Sequence, residues 1–210
     1  MISETVTVVD YGAGNVGSVM NMLKKIGVLA IRAQCPEQIL SATRLLLPGV
    51  GAFDHCMRLL EQSGLKPALE EMVLDKKIPV LGICVGFQMM FSRSEEGALA
   101  GLGWMQGEVI GFDRTKLSSL HKIPHMGWDV VQPIHPHALF SGMENPRYYF
   151  VHSYHAFLVQ PENMLATCNY GYDFCCAAQQ SNIIGVQFHP EKSHRYGMQL
   201  LKNFANGSAI

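Results

Sequence analysis

Two short segments of the chain carry the residue types of a nucleophile and of the base that would activate it. Cys84 lies between two glycines in the run Gly82–Gly86, after an apolar stretch that predicts a strand and before a helical pattern. At such a sharp turn the side chain is exposed at the carboxyl end of the strand, and the amides of the new helix favour the thiolate. His189 follows a second apolar stretch, and Glu191 lies two residues further on, which suits a base oriented by a carboxylate. We therefore predict a catalytic triad of Cys84, His189 and Glu191.

Each of these segments also has an ordinary structural interpretation. A lone cysteine at a strand end is more often a small buried apolar residue than a nucleophile. A His-Pro-Glu sequence after a strand is commonly a turn with a solvated carboxylate. Both segments, however, lie just past a predicted strand, and ligands of open parallel sheets bind at that carboxyl edge. The combination favours catalysis over either structural interpretation.

Attack on a carbonyl produces an oxyanion, which backbone amides usually stabilise. The amide of Val85, directly after the nucleophile, is the first candidate. The second is the segment Pro48–Gly51, whose glycines permit unusual dihedral angles, including a flipped peptide between Gly49 and Val50. The same segment could simply turn the chain, as most sequences of this type do. The predicted oxyanion hole consists of Gly49, Val50 and Val85.

Composition limits the classes of protein to which the chain can belong. Of 210 residues, 48% are hydrophobic and 16% charged, proportions that fit one ordinary α/β domain and argue against disorder. The formal net charge of −1 gives no electrostatic basis for binding nucleic acid or an anionic membrane. No apolar run approaches the roughly 18 residues of a membrane span, and the N-terminus lacks a signal-peptide pattern. Six cysteines form no C-x-x-C pair, so we expect reduced thiols and a cytoplasmic location.

Neither a metal ion nor a nucleotide cofactor is expected. Although the chain has nine histidines, the close pair His121 and His125 has Pro124 between its members and lacks a neighbouring ligand at metal-binding spacing. The segment Tyr11–Asn15 contains two glycines, but the third glycine and the acidic ribose-binding residue of a dinucleotide loop are missing.

The order of predicted elements indicates the fold class. Strands and helices alternate over the first ninety residues, which favours right-handed crossovers and a mainly parallel sheet. In the second half, strand-like runs are joined by short turns and should extend the sheet in antiparallel fashion. The strand-like runs are Thr5–Asp10, Val28–Arg32, Leu45–Leu47, Pro79–Ile83, Trp104–Phe112, Trp128–Gln132, Tyr148–Tyr154, Leu165–Tyr170, Phe174–Gln179 and Ile183–Phe188. We predict a single α/β domain over residues 1–210, with helices on both faces of a mainly parallel central sheet and an antiparallel extension.

Seven runs, in order, give the chain a specific resemblance that covers essentially all of its length. They are Tyr11–Asn15, Leu47–Phe53, Leu81–Phe91, Ser94–Gly97, Pro124–Trp128, Tyr149–Tyr154 and Gly185–Ser193. In these runs the chain resembles the class I (triad) glutamine amidotransferases, and among them the glutaminase subunits of imidazole glycerol phosphate synthases.

The resemblance implies a role for each matching residue. Cys84 would attack the side-chain amide of L-glutamine, His189 would act as base and then as acid, and Glu191 would orient His189. The remaining glutamine-binding residues would be Gly51, Gln88, Glu96, Ser153 and Tyr154. Chemistry alone supports two of them, because Gln88 lies one helical turn from Cys84 and the ammonium group of glutamine needs a carboxylate such as Glu96. Without the resemblance, Glu96 would be a solvated loop charge and Ser153 an ordinary strand residue.

The resemblance also implies a partner. Ammonia released in bulk water would be protonated, so a (β/α)₈-barrel cyclase subunit would bind over the site in a heterodimer and receive it. Asn15, Trp128, Tyr149 and Lys192 would lie at or near that interface. For Trp128 the alternative is partial burial in the core, as for most tryptophans, although aromatic residues are enriched at interfaces.

Three other functions remain open on the sequence. A related glutaminase of the same fold could supply a sugar amidotransferase in surface-polysaccharide synthesis. A cysteine hydrolase or peptidase could use the same triad without a partner. An inactive regulatory subunit is the third possibility, against which the complete triad argues.

Overall fold

The computed structural model describes residues 5–207, in which strands and helices alternate up to Gln88 and strands predominate after it. The strands are β1 (Val6–Val9), β2 (Ala30–Ala33), β3 (Leu45–Gly49), β4 (Val80–Cys84), β5 (Gly107–Gly111), β6 (His125–Pro133), β7 (Arg147–His152), β8 (Tyr154–Leu158), β9 (Met164–Asn169), β10 (Asp173–Gln180) and β11 (Ile183–Val186). The helices are α1 (Val16–Lys25), α2 (Pro36–Leu40), α3 (Phe53–Ser63), α4 (Lys66–Glu70), which a π-helical turn (Glu71–Asp75) continues, α5 (Val85–Gln88) and α6 (His194–Asn206).

One mixed sheet connects all of these strands. Its centre is parallel, in the order β2-β1-β3-β4-β11, and β10, β9, β6 and β7 continue it in antiparallel fashion. β5 and β8 form a further antiparallel pair that joins the sheet at β10. The predicted fold class, an α/β domain with a mainly parallel centre, flanking helices and an antiparallel extension, is confirmed.

The sequence explains why the central strands are parallel and internal. Every residue of β1, β3, β4 and β11 is buried, as expected for short apolar runs covered on both faces. The helices that flank the sheet bury one stripe each: in α1 the stripe is Val16, Val19 and Leu23, at helical spacing. No helix among residues 5–207 is long and apolar enough to cross a membrane.

One segment that was predicted as a loop is partly strand. The sequence predicts that β3 ends at Leu47, but its pairing with β4 continues through Pro48 and Gly49. Proline has no backbone N–H group. Because N–H groups alternate in direction along a strand, the nitrogen of Pro48 faces β1, and the hydrogen bonds to β4 do not need it. The pairing of β1 with β3 already ends at Leu46, so no ladder hydrogen bond is lost. Gly49 therefore lies at a fixed place beside Cys84.

The observed strands differ in their bounds from the predicted runs, and two of the differences have a clear structural reason. The run Tyr148–Tyr154 is broken at Ser153, which separates β7 from β8. The run Trp104–Phe112 narrows to Gly107–Gly111, because Trp104 and Met105 pack in the core outside any ladder. Predicted bounds follow apolar character, whereas actual bounds also depend on which backbone groups find a partner.

The register brings three strand ends together at one edge of the sheet. Gly49 of β3 lies opposite Cys84 of β4, and Val186 of β11 lies opposite Ile83. The residues that follow β11, up to Glu191, therefore begin next to Cys84. This edge is where open parallel sheets bind ligands.

Candidate active site

Cys84 ends β4 in a backbone conformation that few residues adopt. Its φ of 55° and ψ of −113° lie outside the regions open to most L-residues. The neighbouring glycines make this turn possible. A Cβ atom on Gly86 would lie 2.0 Å from the carbonyl oxygen of Leu47, and one on Gly82 would lie 2.8 Å from the Cα of Phe87. The sequence Gly-x-Cys-x-Gly thus allows α5 to pack against β3 and β4 at backbone contact distance.

His189 and Glu191 form a buried hydrogen-bonded pair beside the thiol. The Nδ1 of His189 donates to Oε1 of Glu191 at 2.8 Å, and both side chains are about 1% exposed. Asn15 donates from Nδ2 to the same carboxylate oxygen at 3.0 Å. Nε2 of His189 is buried and makes no hydrogen bond of regular geometry within residues 5–207, so it is free to exchange a proton with a reactant.

The charges of the site favour a protonated His189. Burial alone would lower the pKa of His189. The charge interaction and hydrogen bond with Cys84, and then those with Glu191, outweigh burial and raise the pKa to about 10. Burial would raise the pKa of Glu191, yet the hydrogen bond and charge of His189 and the hydrogen bond from Asn15 lower it overall. The contacts with Cys84 and Glu191 thus favour the imidazolium form of His189, which can act as a proton donor.

Two glutamine side chains connect the thiol to the break between β7 and β8. The carbonyl of Tyr154 can only accept, so the atom of Gln88 that contacts it at 3.1 Å is the amide nitrogen Nε2. The same nitrogen donates to Oε1 of Gln187 at 3.1 Å, which leaves Nε2 of Gln187 directed at the sulfur of Cys84, 3.8 Å away. A donor therefore faces the sulfur, and both hydrogens of the Gln88 amide already have acceptors.

Of the residues predicted for an oxyanion hole, Gly49 and Val85 are next to Cys84. Gly49 is adjacent to it in the ladder, and a Cβ on Gly49 would lie 2.3 Å from the amide nitrogen of Gly86, so only glycine fits between the strand and the turn. Val50 is 38% exposed. The hydroxyl of Tyr11 donates to the Pro48 carbonyl at 2.9 Å, and the thiol of Cys56 donates to the Val50 carbonyl at 3.5 Å. These two contacts fix the peptides on either side of the Gly49–Val50 bond.

The predicted glutamine-binding residues lie on two sides of Cys84. On the β3 side, Gly51 has a φ of 108°, and Oε2 of Glu96 accepts from the Phe53 amide at 2.8 Å. On the β11 side, Ser153 and Tyr154 are both half-buried at the strand break that Gln88 contacts. Of these residues, Gln88 and Tyr154 are connected to the thiol by hydrogen bonds through Gln187.

The residues predicted for an interface form one surface cluster, except for Asn15. Trp128 is 38% exposed and lies opposite Tyr149 in the β6–β7 ladder, with ring centroids 6.3 Å apart. The ammonium group of Lys192 lies 5.6 Å from the Tyr149 ring centroid, and the His194 ring stacks on Trp128 at 5.3 Å. The amide of His189 donates to the Tyr149 carbonyl, so this cluster is directly connected to the triad backbone. Asn15 lies deeper, against Glu191.

Sequence reasoning missed three contributions to the site. Gln187 faces the sulfur, Tyr11 binds the Pro48 carbonyl, and Asn15 binds the triad carboxylate. A signal existed only for Gln187, because a polar residue in the middle of an apolar strand run needs a buried partner. Within the described part of the chain, no three His, Cys, Asp or Glu side chains are grouped as metal ligands would be.

Comparison with known proteins identifies the family to which the chain is similar. Residues 7–207 match the family Glutamine amidotransferase class-I. The chain is 49% identical over 200 residues to the imidazole glycerol phosphate synthase subunit HisH 2 of Pseudomonas aeruginosa, with 95% of this chain and 98% of that protein covered. It is 46% identical over 203 residues to subunit HisH of Bdellovibrio bacteriovorus, at the same coverage.

Solved structures share the fold at much lower identity. A structure described as glutamine amidotransferase superimposes with a TM-score of 0.73 and 17% identity, covering 95% of this chain and 96% of its own. PurLQS from Thermotoga maritima gives 0.70 and 14% identity, covering 98% of this chain and 99% of that one.

Proposed function

Since the chain belongs to the class I glutamine amidotransferases, we propose that it is the glutaminase subunit of an imidazole glycerol phosphate synthase, which supplies ammonia for histidine biosynthesis. It is an enzyme that acts on L-glutamine. The observation that carries the residue assignment is the position of Cys84, in a strained turn beside an imidazole with a free Nε2 and a buried carboxylate on Nδ1.

In the first half of the reaction, the thiolate of Cys84 attacks the side-chain carbonyl carbon of glutamine. The oxyanion that forms lies near the amide of Val85 and the Gly49–Val50 segment, whose donors stabilise it. His189, protonated because of its raised pKa, gives its Nε2 proton to the departing nitrogen. Ammonia leaves and a glutamyl thioester on Cys84 remains.

In the second half, the neutral His189 takes a proton from water through Nε2, and the hydroxide attacks the thioester. The product departs as the side-chain carboxylic acid and releases its proton to solvent to become glutamate. The thiolate is restored, and the proton on His189 returns the site to its starting state. Glu191 fixes the tautomer of His189 throughout, and the donor on Gln187 stabilises the thiolate as the thioester breaks.

Glutamine binding is assigned to the groups on both flanks of the thiol. Glu96 supplies a carboxylate for the substrate ammonium group, and Ser153 and Tyr154 supply polar groups for its amino-acid end. Gln88 contributes by positioning the Tyr154 segment, because both of its N–H groups are already occupied, with Oε1 left for the substrate. Gly51 permits the left-handed backbone at the entrance.

The partner in this proposal is a (β/α)₈-barrel cyclase that covers the Trp128–Tyr149–Lys192 cluster and receives ammonia directly. Exposed aromatic and cationic groups beside the triad suit such an interface. The cyclase would combine ammonia with a phosphoribulosyl formimino carboxamide nucleotide. A cytoplasmic location is part of the proposal, in keeping with six free cysteines.

The proposal is tested by glutaminase assays with and without the cyclase from the same cell and its nucleotide. We expect slow hydrolysis alone and strong activation when cyclase and nucleotide are both present. Activation by a sugar amidotransferase in place of the cyclase would reassign the pathway while retaining the chemistry. Rapid hydrolysis that no partner changes, or cleavage of peptides, would contradict the subunit role.

A further inference from the structure

A buried pair of histidines lies behind the strand break of the active site. His125 of β6 is directly opposite His152 of β7 in the ladder, and their side chains are 1% and 6% exposed. Nδ1 of His125 contacts Nε2 of His152 at 2.9 Å. The outer nitrogens also have partners: Nδ1 of His152 contacts the Tyr154 carbonyl at 2.8 Å, and Nε2 of His125 contacts Oδ2 of Asp129 at 2.7 Å.

The three contacts of this histidine pair need more hydrogens than two neutral imidazoles carry. A carbonyl and a carboxylate can only accept, so both outer nitrogens must carry hydrogen, and the inner contact needs one hydrogen more. The three contacts therefore need three N–H groups, whereas two neutral imidazoles have two. When Asp129 is ionised, the pair must hold one excess proton for all three contacts to be made.

The contact with Tyr154 connects this pair to the thiol. The same carbonyl oxygen accepts from Gln88, and Gln88 aligns Gln187 on the sulfur of Cys84. The outer end of this series of contacts is accessible to solvent, since the side chain of Asp129 is 41% exposed. A continuous series of hydrogen bonds thus runs from a surface carboxylate to the reacting sulfur.

We propose that Asp129, His125 and His152 are positioning residues that hold the Tyr154 carbonyl, and through it the Gln88–Gln187 pair, by sharing one proton in excess of two neutral imidazoles. The kinetic part of the inference rests on the proposed glutaminase function. When the excess proton is lost, the charged acceptor Asp129 keeps a hydrogen on Nε2 of His125. The carboxylate makes Nδ1 of the same ring a stronger acceptor than the neutral Tyr154 carbonyl, so the second hydrogen moves to Nε2 of His152. The Tyr154 carbonyl then loses its donor from His152.

The surroundings place this change below the ordinary pKa of a histidine. Burial lowers the pKa of His125 below its ordinary 6.5, against the opposing hydrogen bond and charge of Asp129, and burial together with the neighbouring His125 lowers the pKa of His152. The excess proton is therefore present at acidic pH and is lost as the pH rises toward 6.5. The titratable groups that face the pair are Asp129, His121, His155, Tyr170 and His189.

The decisive variant is Asp129→Asn. An asparagine amide can donate to Nε2 of His125, so a neutral pair satisfies all three contacts and needs no excess proton. For the full chain with its cyclase, we expect the wild-type KM for glutamine to rise about two- to ten-fold between about pH 5 and about pH 8, the effect of one hydrogen bond. In Asp129→Asn we expect KM to stay at the low value throughout, with kcat changed little. His121→Gln, which removes the neighbouring half-buried histidine, is the matched control and should keep the wild-type pH dependence.

Ring-nitrogen NMR of the histidines tests the proton count without any assay. We expect three protonated nitrogens in the wild-type pair at acidic pH, two after titration, and two at every pH in Asp129→Asn. Two protonated nitrogens at every pH in the wild type, or a KM profile in Asp129→Asn that follows the wild type, would overturn the inference. Absence of glutamine turnover in the wild type would instead count against the proposed function and leave the NMR test valid.

Discussion

At the scale of single residues, the site depends on how the buried side chains of Cys84, His189 and Glu191 interact electrostatically. His189 lies between the thiol of Cys84 and the carboxylate of Glu191, and each of these groups favours the imidazolium. An imidazolium with a pKa of about 10 stays protonated through neutral pH, and in the proposed mechanism it protonates the departing ammonia. The high pKa of His189 therefore comes from the groups around the ring, and an isolated histidine would not have it.

Glu191→Gln tests that electrostatic role. Because the hydrogen bond and charge of Glu191 contribute to raising the pKa of His189, their loss should lower that pKa. The imidazolium would then be lost at lower pH, so the alkaline limb of the kcat profile should move toward neutrality. The change also removes control of the tautomer, and we expect kcat to fall about 100-fold or more.

The measurement is a pH series of kcat with saturating glutamine, together with the NMR titration of His189. Asn15→Ala is a milder comparison, because it removes one hydrogen bond to Glu191 and retains the carboxylate. An unchanged alkaline limb in Glu191→Gln would show that the carboxylate does not control the base.

At the scale of elements, the turn between β4 and α5 depends on glycines, because the backbone of the turn contacts the backbone of β3 directly. Sequence pattern was sufficient to predict this feature, since a strand, Gly-x-Cys-x-Gly and a helical pattern are all local. It was insufficient for β3, which continues through Pro48, because the direction of a missing donor depends on neighbouring strands. The hydrogen bond from Asn15 to Glu191 and the one from Gln88 to the Tyr154 carbonyl also lay beyond prediction, since each joins residues that are distant in sequence.

Gly86→Ala should disrupt this turn. Its new methyl group would lie 2.0 Å from the carbonyl oxygen of Leu47, a backbone atom that cannot move independently of β3. We expect the free energy of unfolding in urea to fall by about 1–3 kcal/mol, as for other overpacked sites, and glutaminase activity to fall with it.

Gly17→Ala is the matched control in α1. A Cβ atom there would meet nothing within 4 Å, and alanine favours helix over glycine. We expect an unfolding free energy that is equal or higher by about 0.5–1 kcal/mol. Equal stability of Gly86→Ala and Gly17→Ala would contradict the packing account of the turn.

At the scale of the whole molecule, the edge of the sheet that carries Cys84 and His189 adjoins the aromatic cluster of Trp128, Tyr149 and Lys192. The triad lies at the ends of β4 and β11, and the cluster of Trp128, Tyr149 and Lys192 adjoins it through the backbone of His189. Family resemblance predicts these cluster residues, but the contact of Trp128 with Tyr149 follows from the β6–β7 register, and that of Lys192 with Tyr149 from the turn after His189. The opposition of His125 and His152 depends on the same register, which no local pattern specifies.

Trp128→Ala should weaken binding to the cyclase. A partly exposed aromatic residue at the centre of such a cluster has the features of an interface hot spot, so we expect Kd to rise at least about 30-fold. Titration calorimetry of the two purified subunits measures this. Phe157→Ala, which removes an exposed aromatic residue of β8 outside the cluster, should leave Kd within about twofold, near the scatter of neutral surface substitutions. Equal effects of the two substitutions would place the interface elsewhere.

The most direct test of the account compares two nitrogen sources for Cys84→Ala in complex with the cyclase. The variant removes only the sulfur that attacks glutamine, at a site 3% exposed. We expect glutamine-dependent synthesis to be lost, while synthesis from added ammonia by the cyclase stays at the wild-type rate. Retained glutamine-dependent turnover in Cys84→Ala would contradict the assignment of Cys84 as the nucleophile, and with it the catalytic triad.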